Sequence, residues 1–479
     1  MKAKKLIAML LSATLAFTMV ACGSDSGNAT ETSTDTTSTT TEGETTASTA
    51  EDTITIMVPP VTNTFVELLR TVWIPDFQEM YPHISFDVIE TSWDDHSTKL
   101  TTMALAGEAP DIVQTGYGRI SSLVEMGVAI DVEQYLADGV LADYDQAALD
   151  YMTVEGTLYG LPLYITVQAL GGNLEMLEAA GADVEKIQAQ GWSYDEFLEI
   201  LEAGTTSDTY GFAFANANNT TADFIGIFGT AAGISNKFTS DLKFAYTSAN
   251  MLALLESVET LIGSGYMPDY ALEASQRLVM LQTGEAMIIG KAMPLFEESM
   301  NLNNVAIEEG SGEEVPGSIQ LEYVFLPTPT MDGVVDTTFG SVDGFVALRN
   351  GNTTDERLEN VCLFMNYITS GERAAALYET LYLTCVTESG REAQVQYELD
   401  QTESNAVATE RAIATVVAPP TGVSAELDAA SQTVMDETVV PKFQALIAGE
   451  ISAQDMYDAI CQHAFSVMGE ENCETDWVK

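Results

Sequence analysis

Apolar and polar positions along this chain switch period in a regular order. Thr53–Val58 alternates, with Ile54, Ile56 and Val58 on one side, and Pro59-Pro60 stops it, the pattern of a strand. From Phe65 to Met80 the spacing becomes helical, with Leu69, Val72, Trp73 and Phe77 as the apolar set. Pro75 must kink or divide that helix, because it has no N–H to give the preceding turn. After Tyr81-Pro82 the alternation returns at Ile84, Phe86 and Val88. His96–Ala106 reads as a helix ended by Gly107, and Asp111–Gln114 as a short buried strand. Strand–helix–strand–helix–strand implies an α/β domain with right-handed crossovers. Ser193-Tyr194-Asp195-Glu196 reads as a capping box opening a helix at Phe197–Glu202, and Thr353…Glu356 as another opening Arg357–Ile368. Between them, Gly211–Ala215 and Ala286–Ile289 read as strands.

The N-terminus follows neither period. Lys2, Lys4 and Lys5 precede an apolar run from Leu6 to Val20, too short to span a bilayer as a mature helix, and Ala21 precedes Cys22. Met19-Val20-Ala21-Cys22 resembles the bacterial lipobox, in which the cysteine thiol receives diacylglycerol and becomes the new N-terminus. Met19 stands where leucine is more usual. Residues 1–21 are therefore expected to be a lipoprotein signal peptide. From Gly23 to Asp52 there are 16 Ser/Thr and seven acids in 30 residues, with no Lys or Arg. Such a segment buries too little apolar surface to offset its ordering entropy, so residues 22–52 are expected to be a disordered tether. Its mean reach would be about 30 Å, or about 100 Å fully extended.

Composition narrows the partners. About 427 residues follow the tether, enough for more than one compact unit. Without the signal peptide the chain has 15 basic and 72 acidic residues. Nucleic acid and anionic lipid headgroups are poor partners for that surface. No other segment approaches membrane-spanning length, so lipid on Cys22 would be the anchor, with two or three acyl chains. Outside the cytosol, Cys362, Cys385, Cys461 and Cys473 would allow three pairings, and the sequence does not choose among them. Cys362 shares an amphipathic pattern with Leu358, Met365 and Ile368, which also fits a buried free thiol. The scattered His83, His96 and His463, with no CxxC, argue against a zinc site; no metal and no cofactor is expected.

Several stretches together resemble one family. Phe77-Gln78-Glu79-Met80-Tyr81-Pro82-His83-Ile84 looks like its first helix-to-strand junction. The run Lys99-Leu100-Thr101-Thr102-Met103-Ala104-Leu105-Ala106-Gly107-Glu108-Ala109-Pro110-Asp111-Ile112-Val113 is similar to its most recognisable piece. Gly127-Val128-Ala129-Ile130-Asp131-Val132, Tyr159-Gly160-Leu161-Pro162-Leu163 and Gly191-Trp192-Ser193-Tyr194-Asp195-Glu196-Phe197 follow in family order. The family is that of the extracellular solute-binding lipoproteins of ABC importers, in the carbohydrate-binding group that includes maltose-binding-protein-like members. Departures occur at Gly172-Asn173-Leu174, where the family has Tyr-Asn-Lys, and at Gly284-Glu285-Ala286-Met287, one residue short of Gly-Lys-Ala-Ala-Met. The Gly-rich return Gly340-Ser341-Val342-Asp343-Gly344 carries an acid. The last two lie near the expected ligand.

The resemblance implies a two-lobe, type II periplasmic-binding-protein-like α/β fold with a hinge, binding a sugar between lobes and delivering it to permease subunits at the outer face of the cell membrane. Lobe one is expected at residues 53–163 and 337–400, and lobe two at 164–336 and 401–479. A pyranose offers apolar C–H faces and a rim of hydroxyls, so it suits aromatic plates with amide or carboxylate edges. Trp93 and Tyr117 follow strands at their C-terminal ends, where open α/β sheets bind ligands. Tyr164 and Gln168 lie at the crossing, Asn216 and Asn218 after one lobe-two strand, Met293 and Phe296 after another, and Asp343 on the return. These nine are the expected ligand contacts, and no catalytic residue is expected. Trp192 is assigned to structure beside a cap, and Asp94-Asp95 to a helix N-terminus.

The competing classes are a surface-tethered glycan-active enzyme using two carboxylates and a sensor or adhesin ectodomain. Seventy-two acids supply many candidate pairs, so composition leaves the first open. Gly-x-Ser-x-Gly, His-Glu-x-x-His, a P-loop and Gly-x-Gly-x-x-Gly are all absent from the sequence.

Overall fold

The computed structural model describes residues 52–478 apart from 60, 62–64, 117–118, 218–219, 384, 398, 400 and 421. The expected signal peptide, Cys22 and the expected tether up to residue 51 lie outside the described residues, as do Tyr117 and Asn218. Asp52, counted above with the tether, already begins a strand: its N–H donates to His83 O at 2.9 Å and Arg357 pairs with its carboxylate.

Ten strands follow in chain order: β1 (Asp52–Val58), β2 (Ile84–Glu90), β3 (Ile112–Gly116), β4 (Thr153–Val154), β5 (Thr157–Leu158), β6 (Gly160–Asn173), β7 (Tyr210–Ala213), β8 (Ala286–Ala292), β9 (Tyr323–Leu326) and β10 (Phe339–Ala347). Eight of them form one mixed sheet in the order β2-β1-β3-β10-β6-β8-β7, with β9 also on β6; β4 and β5 pair separately as a small ribbon. The pairs β2–β1, β1–β3 and β7–β8 are parallel, as βαβ crossovers require, while β10 and β6 run antiparallel to their neighbours. Fourteen residues long, β6 gives its first half to β10 and its second half to β8 and β9. It is the strand by which one part of the sheet becomes the other.

Two large apolar clusters flank this crossing. One gathers Ile54, Ile56, Phe77, Ile112, Phe345 and Phe364, together with Phe296, Tyr323 and Phe325 from later in the chain. The other gathers Phe197, Phe212, Phe224, Phe228, Leu254 and Phe443 with the C-terminal helix residues Met456 and Ile460. Stretches far apart in the sequence thus contribute to each cluster around the one large sheet.

Local chemistry accounts for the helix ends. Pro75 divides its helix as its missing N–H demands: Phe65–Leu68 passes through one π-turn, Leu69–Trp73, before the α-helix Ile74–Met80. The box at Ser193 is present in both directions, and its helix runs Tyr194–Gly204. Helix Trp93–Ala106 starts three residues earlier than the apolar pattern indicates, because the Ser92 hydroxyl caps Asp95 N. The second expected box is replaced by a single cap one residue later. Thr354, not Thr353, caps Asp355–Thr369 by accepting Arg357 N at 3.2 Å, while the Thr353 hydroxyl accepts Asn350 N at 2.9 Å in the preceding turn. Trp192 is structural, as expected, its indole donating to Pro327 O at 2.9 Å.

Candidate functional site

Alternate residues of a strand share a face, so Tyr164, Thr166 and Gln168 on β6 look the same way. Across the antiparallel pair they stand opposite Asp343, Ser341 and Phe339 of β10. The result is a polar ladder of cross-strand pairs at the crossing. The Tyr164 hydroxyl donates to Asp343 Oδ2 at 3.1 Å, and the Thr166 hydroxyl to Ser341 O at 3.1 Å. Gln168 ends the row with its carboxamide oxygen buried and without a hydrogen-bond partner among the described residues.

A register shift follows Asp343 directly, between it and Gly344. Glycine is required there: a Cβ on Gly344 would lie 2.4 Å from Leu161 O and 2.9 Å from Pro162 Cα. The irregularity interrupts the β10–β6 ladder directly after Asp343. Burial lifts the Asp343 carboxyl to about 6, against the smaller downward pulls of the Tyr164 hydrogen bond and the Lys291 ammonium. The same burial, with Asp343 beside it, holds the Tyr164 phenol well above its ordinary value.

Lys291 reaches this ladder from the end of β8. Its ammonium pairs with Asp223 of helix Thr220–Phe228 at 2.6 Å. The backbone at Lys291 is left-handed, φ +51°, an uncommon state for a residue with a side chain. Arg277 fixes it, donating from Nε to Gly290 O and from Nη2 to Lys291 O, both at 2.8 Å. Gly226, one turn beyond Asp223, lies against the Phe339 ring, where a Cβ would stand 2.8 Å from Cε2. Helix Thr220–Phe228 therefore approaches the ladder with Asp223 and Gly226 on one face.

The expected ligand contacts distribute unevenly. Tyr164, Gln168 and Asp343 come together in the ladder. Asn216 is buried and clamps a loop: its Oδ1 accepts Leu272 N at 3.1 Å and its own N–H donates to Leu272 O at 3.0 Å. Phe296 is buried, 5.8 Å from the Arg277 guanidinium and 6.4 Å from the Tyr323 ring. The Met293 carbonyl accepts the Tyr323 hydroxyl at 2.9 Å. These last two support the Arg277 clamp behind Lys291 rather than joining the ladder. Trp93 supplies the first residue of helix Trp93–Ala106. Three surface hollows of about 280, 410 and 520 Å³ lie elsewhere and include none of these residues.

Sequence reasoning passed over Lys291, Asp223 and His96. With 18 Lys and Arg against 72 acids, a lysine at a strand end was the available signal. His96, read as one of three scattered histidines, is buried at the C-terminal ends of three strands. Its Nε2 lies 2.8 Å from Gln114 O and its Nδ1 2.7 Å from Thr91 Oγ1, with the Thr91 hydroxyl 3.3 Å from Val58 O. Nε2–H donating to the carbonyl leaves Nδ1 as acceptor, the neutral tautomer, and burial accordingly pulls its pKa down. Beside it the Gln114 carboxamide, fully buried in β3, has no partner on either atom among the described residues. No group of three or more His, Cys, Asp and Glu suited to a metal occurs among the described residues.

Residues 73–402 match a family described as bacterial extracellular solute-binding protein. An uncharacterized lipoprotein in the oleD 5′ region of Streptomyces antibioticus is 24% identical over 166 residues, 32% of this chain and 36% of that protein. The maltodextrin-binding protein MdxE of Bacillus subtilis is 24% identical over 187 residues, 38% of this chain and 39% of its own length. The matches thus span little more than a third of these curated relatives. Among solved structures, an ABC substrate-binding protein of Listeria monocytogenes in complex with cycloalternan superposes with a TM-score of 0.67 at 15% identity. That superposition covers 88% of this chain and 99% of the other. Maltose-bound MalE3 of T. maritima gives 0.65 at 16%, covering 87% and 100%. The two-lobe type II fold expected from the sequence is the fold of these structures.

Proposed function

The chain belongs to the bacterial extracellular solute-binding proteins, a family of binders rather than enzymes, and on that premise we propose that it captures a mono- or oligosaccharide between two lobes for an ABC importer. The observation that carries the sugar is the polar ladder. Asp343, Tyr164 and Gln168 present a carboxylate, a phenol and an unpartnered amide oxygen in one row at the strand crossing. Sugar hydroxyls both donate and accept, and match such a row. Trp93 and Tyr117, at the ends of the lobe-one strands, would supply the stacking faces. The maltodextrin-binding relative and the neighbours bound to maltose and cycloalternan support the same reading.

In this reading lobe one is residues 53–163 with 337–400, and lobe two 164–336 with 401–479. Hinge opening about β6 and β10 would break contacts that now join them. Helix Ile120–Glu125 lies against helix Ala425–Val434, and Ala425 N donates to Glu155 Oε1 at 3.2 Å. Lipid on Cys22 would hold the protein at the outer face of the membrane, beside its permease. Purified protein titrated with a glycan panel by calorimetry should bind one sugar per chain and return it unaltered, with a smaller radius of gyration by X-ray scattering. A panel without a binder, or a sugar returned cleaved, removes this function. Separately, Cys22→Ser should release the protein from the membrane fraction; full retention would refute the anchor alone.

A further inference from the structure

Two of the four thiols meet at one residue. Cys461 lies on helix Ala453–Met468 with its Sγ 3.9 Å from Thr247 O, the same carbonyl that accepts the Tyr457 hydroxyl at 2.8 Å. After Gly469 the chain turns back, and Cys473 pairs alongside Phe244: Phe244 N donates to Asn472 O at 2.8 Å, and Glu474 N to Phe244 O at 3.1 Å. The Thr247 hydroxyl, fixed by its own 2.9 Å bond to Phe244 O, lies beside the Cys473 thiol. One sulfur therefore sits against the carbonyl of Thr247 and the other against its hydroxyl. Thr247 is fully buried in the turn Ala245–Thr247, a fixed reference for both.

We propose that Cys461 and Cys473 are a disulfide-forming pair that staples the C-terminal segment to the last long helix. Both sulfurs would leave the oxygens of Thr247 for each other. The segment is already in place without the bridge, since Val478 N donates to Asn250 Oδ1 at 2.7 Å and Asn250 Nδ2 to Val478 O at 3.1 Å. The bridge would therefore lock an ordered tail rather than fold one. Cys362 and Cys385 are different. Cys362 is buried in the large cluster around Phe345 and Phe364, while Cys385 belongs to a separate small cluster with Ala374 and Ala375.

The chemistry requires a disulfide oxidant outside the cell, such as oxidised glutathione. The Cys461 thiolate, the more exposed of the two, attacks one glutathione sulfur and expels a glutathione thiolate. The Cys473 thiolate then attacks the Cys461 sulfur and expels the second. Two thiols lose two protons and two electrons, and one oxidised glutathione becomes two reduced molecules. Burial raises the pKa of both thiols, so the reaction should accelerate in mildly alkaline buffer.

The test uses the full chain, incubated folded with oxidised glutathione and, in parallel, refolded from denaturant in a glutathione redox buffer. Both are alkylated after unfolding and mapped by mass spectrometry without reduction. One bridge joining the peptides of Cys461 and Cys473 should dominate, with Cys362 and Cys385 alkylated. Cys461→Ser should leave Cys473 alkylated or glutathionylated, and Cys473→Ser the converse. Alkylation of both thiols in the refolded sample, arrest at mixed glutathione disulfides, or a bridge from either to Cys362 or Cys385 would overturn the proposal. Sugar binding is not an outcome here, so the result stands apart from the function proposed above.

Discussion

Asp111 and Asp343 stand near neighbouring strands of one sheet and have opposite surroundings. Asp111, just before β3, is surrounded by donors. Arg357 reaches it from Nε at 2.9 Å and Nη2 at 2.7 Å, Asn350 Nδ2 donates at 2.9 Å, and Thr55 N at 2.8 Å. Arg357 also pairs with Asp52 and donates to Thr53 O, so one guanidinium ties β1, the start of β3 and helix Asp355–Thr369 together. Asp343, on β10, receives the Tyr164 hydroxyl and shares Lys291 with Asp223. The carboxylate that holds the fold is saturated, and the one in the ladder keeps acceptor capacity. The acid that braces the fold and the acid proposed to meet the solute thus differ in how completely the protein itself satisfies them.

Arg357→Ala tests the saturated member and should have the largest effect. It leaves Asp111, whose side chain is 3% exposed, as an uncompensated buried charge. A loss of about 3–5 kcal/mol in urea unfolding is expected. The remaining folded protein should bind its solute normally. Arg391→Ala is the control: its pair with Asp145 has side chains 37% and 44% exposed and should contribute under about 1 kcal/mol. Equal losses at the two sites would break the distinction.

The surroundings of neither acid could be read from the sequence, although Asp343 was named among the expected ligand contacts. Elements written in local chemistry were legible: the division of the helix at Pro75, the Ser193–Glu196 box, the alternation of β1. The ladder was not, because it needs residues 164–168 to meet 339–343 across 175 positions of chain. Nearly all of β6 is buried, so it shows no alternation to mark a strand of fourteen residues. Tyr164, Gln168 and Asp343 were named from the resemblance, whereas their common face emerges from register. Asn216 illustrates the converse. An asparagine after a strand looks the same in sequence whether it meets a ligand or clamps Leu272, 56 residues away. Lys291 was hidden because its left-handed backbone depends on Arg277, not on its neighbours.

Asp343→Asn should alter the pH dependence of stability by a smaller amount. Its folded carboxyl titrates near 6, raised from 3.8, so the folded state holds a proton that the unfolded state has already released. This contribution is complete below about pH 4, declines as pH rises toward 6, and is absent above. Taken whole the displacement corresponds to about 3 kcal/mol, and solvent at this half-buried group should reduce it to about 1–2 kcal/mol. Urea unfolding of both proteins from pH 4 to 7 should show the native curve falling relative to the variant over that window. Parallel curves would mean that Asp343 is as well satisfied as Asp111.

The smallest effect is expected at Gln168, where it sharpens the contrast most. Removing one partner of a hydrogen-bonded pair strands the other, but the buried Gln168 oxygen has no partner among the described residues to strand. Gln168→Ala therefore gives up side-chain packing while relieving an unsatisfied acceptor, and the empty protein should change by less than about 1 kcal/mol. In the bound protein the same oxygen would accept a solute hydroxyl, so the variant should bind about 1 kcal/mol more weakly, a five- to tenfold rise in Kd. Calorimetry of the sugar selected from the panel, beside urea unfolding without sugar, separates the two. Loss of stability with unchanged affinity would make Gln168 a packing residue and confine the binding row to Tyr164 and Asp343. Unchanged stability with weakened affinity would assign the orphaned acceptor to the solute.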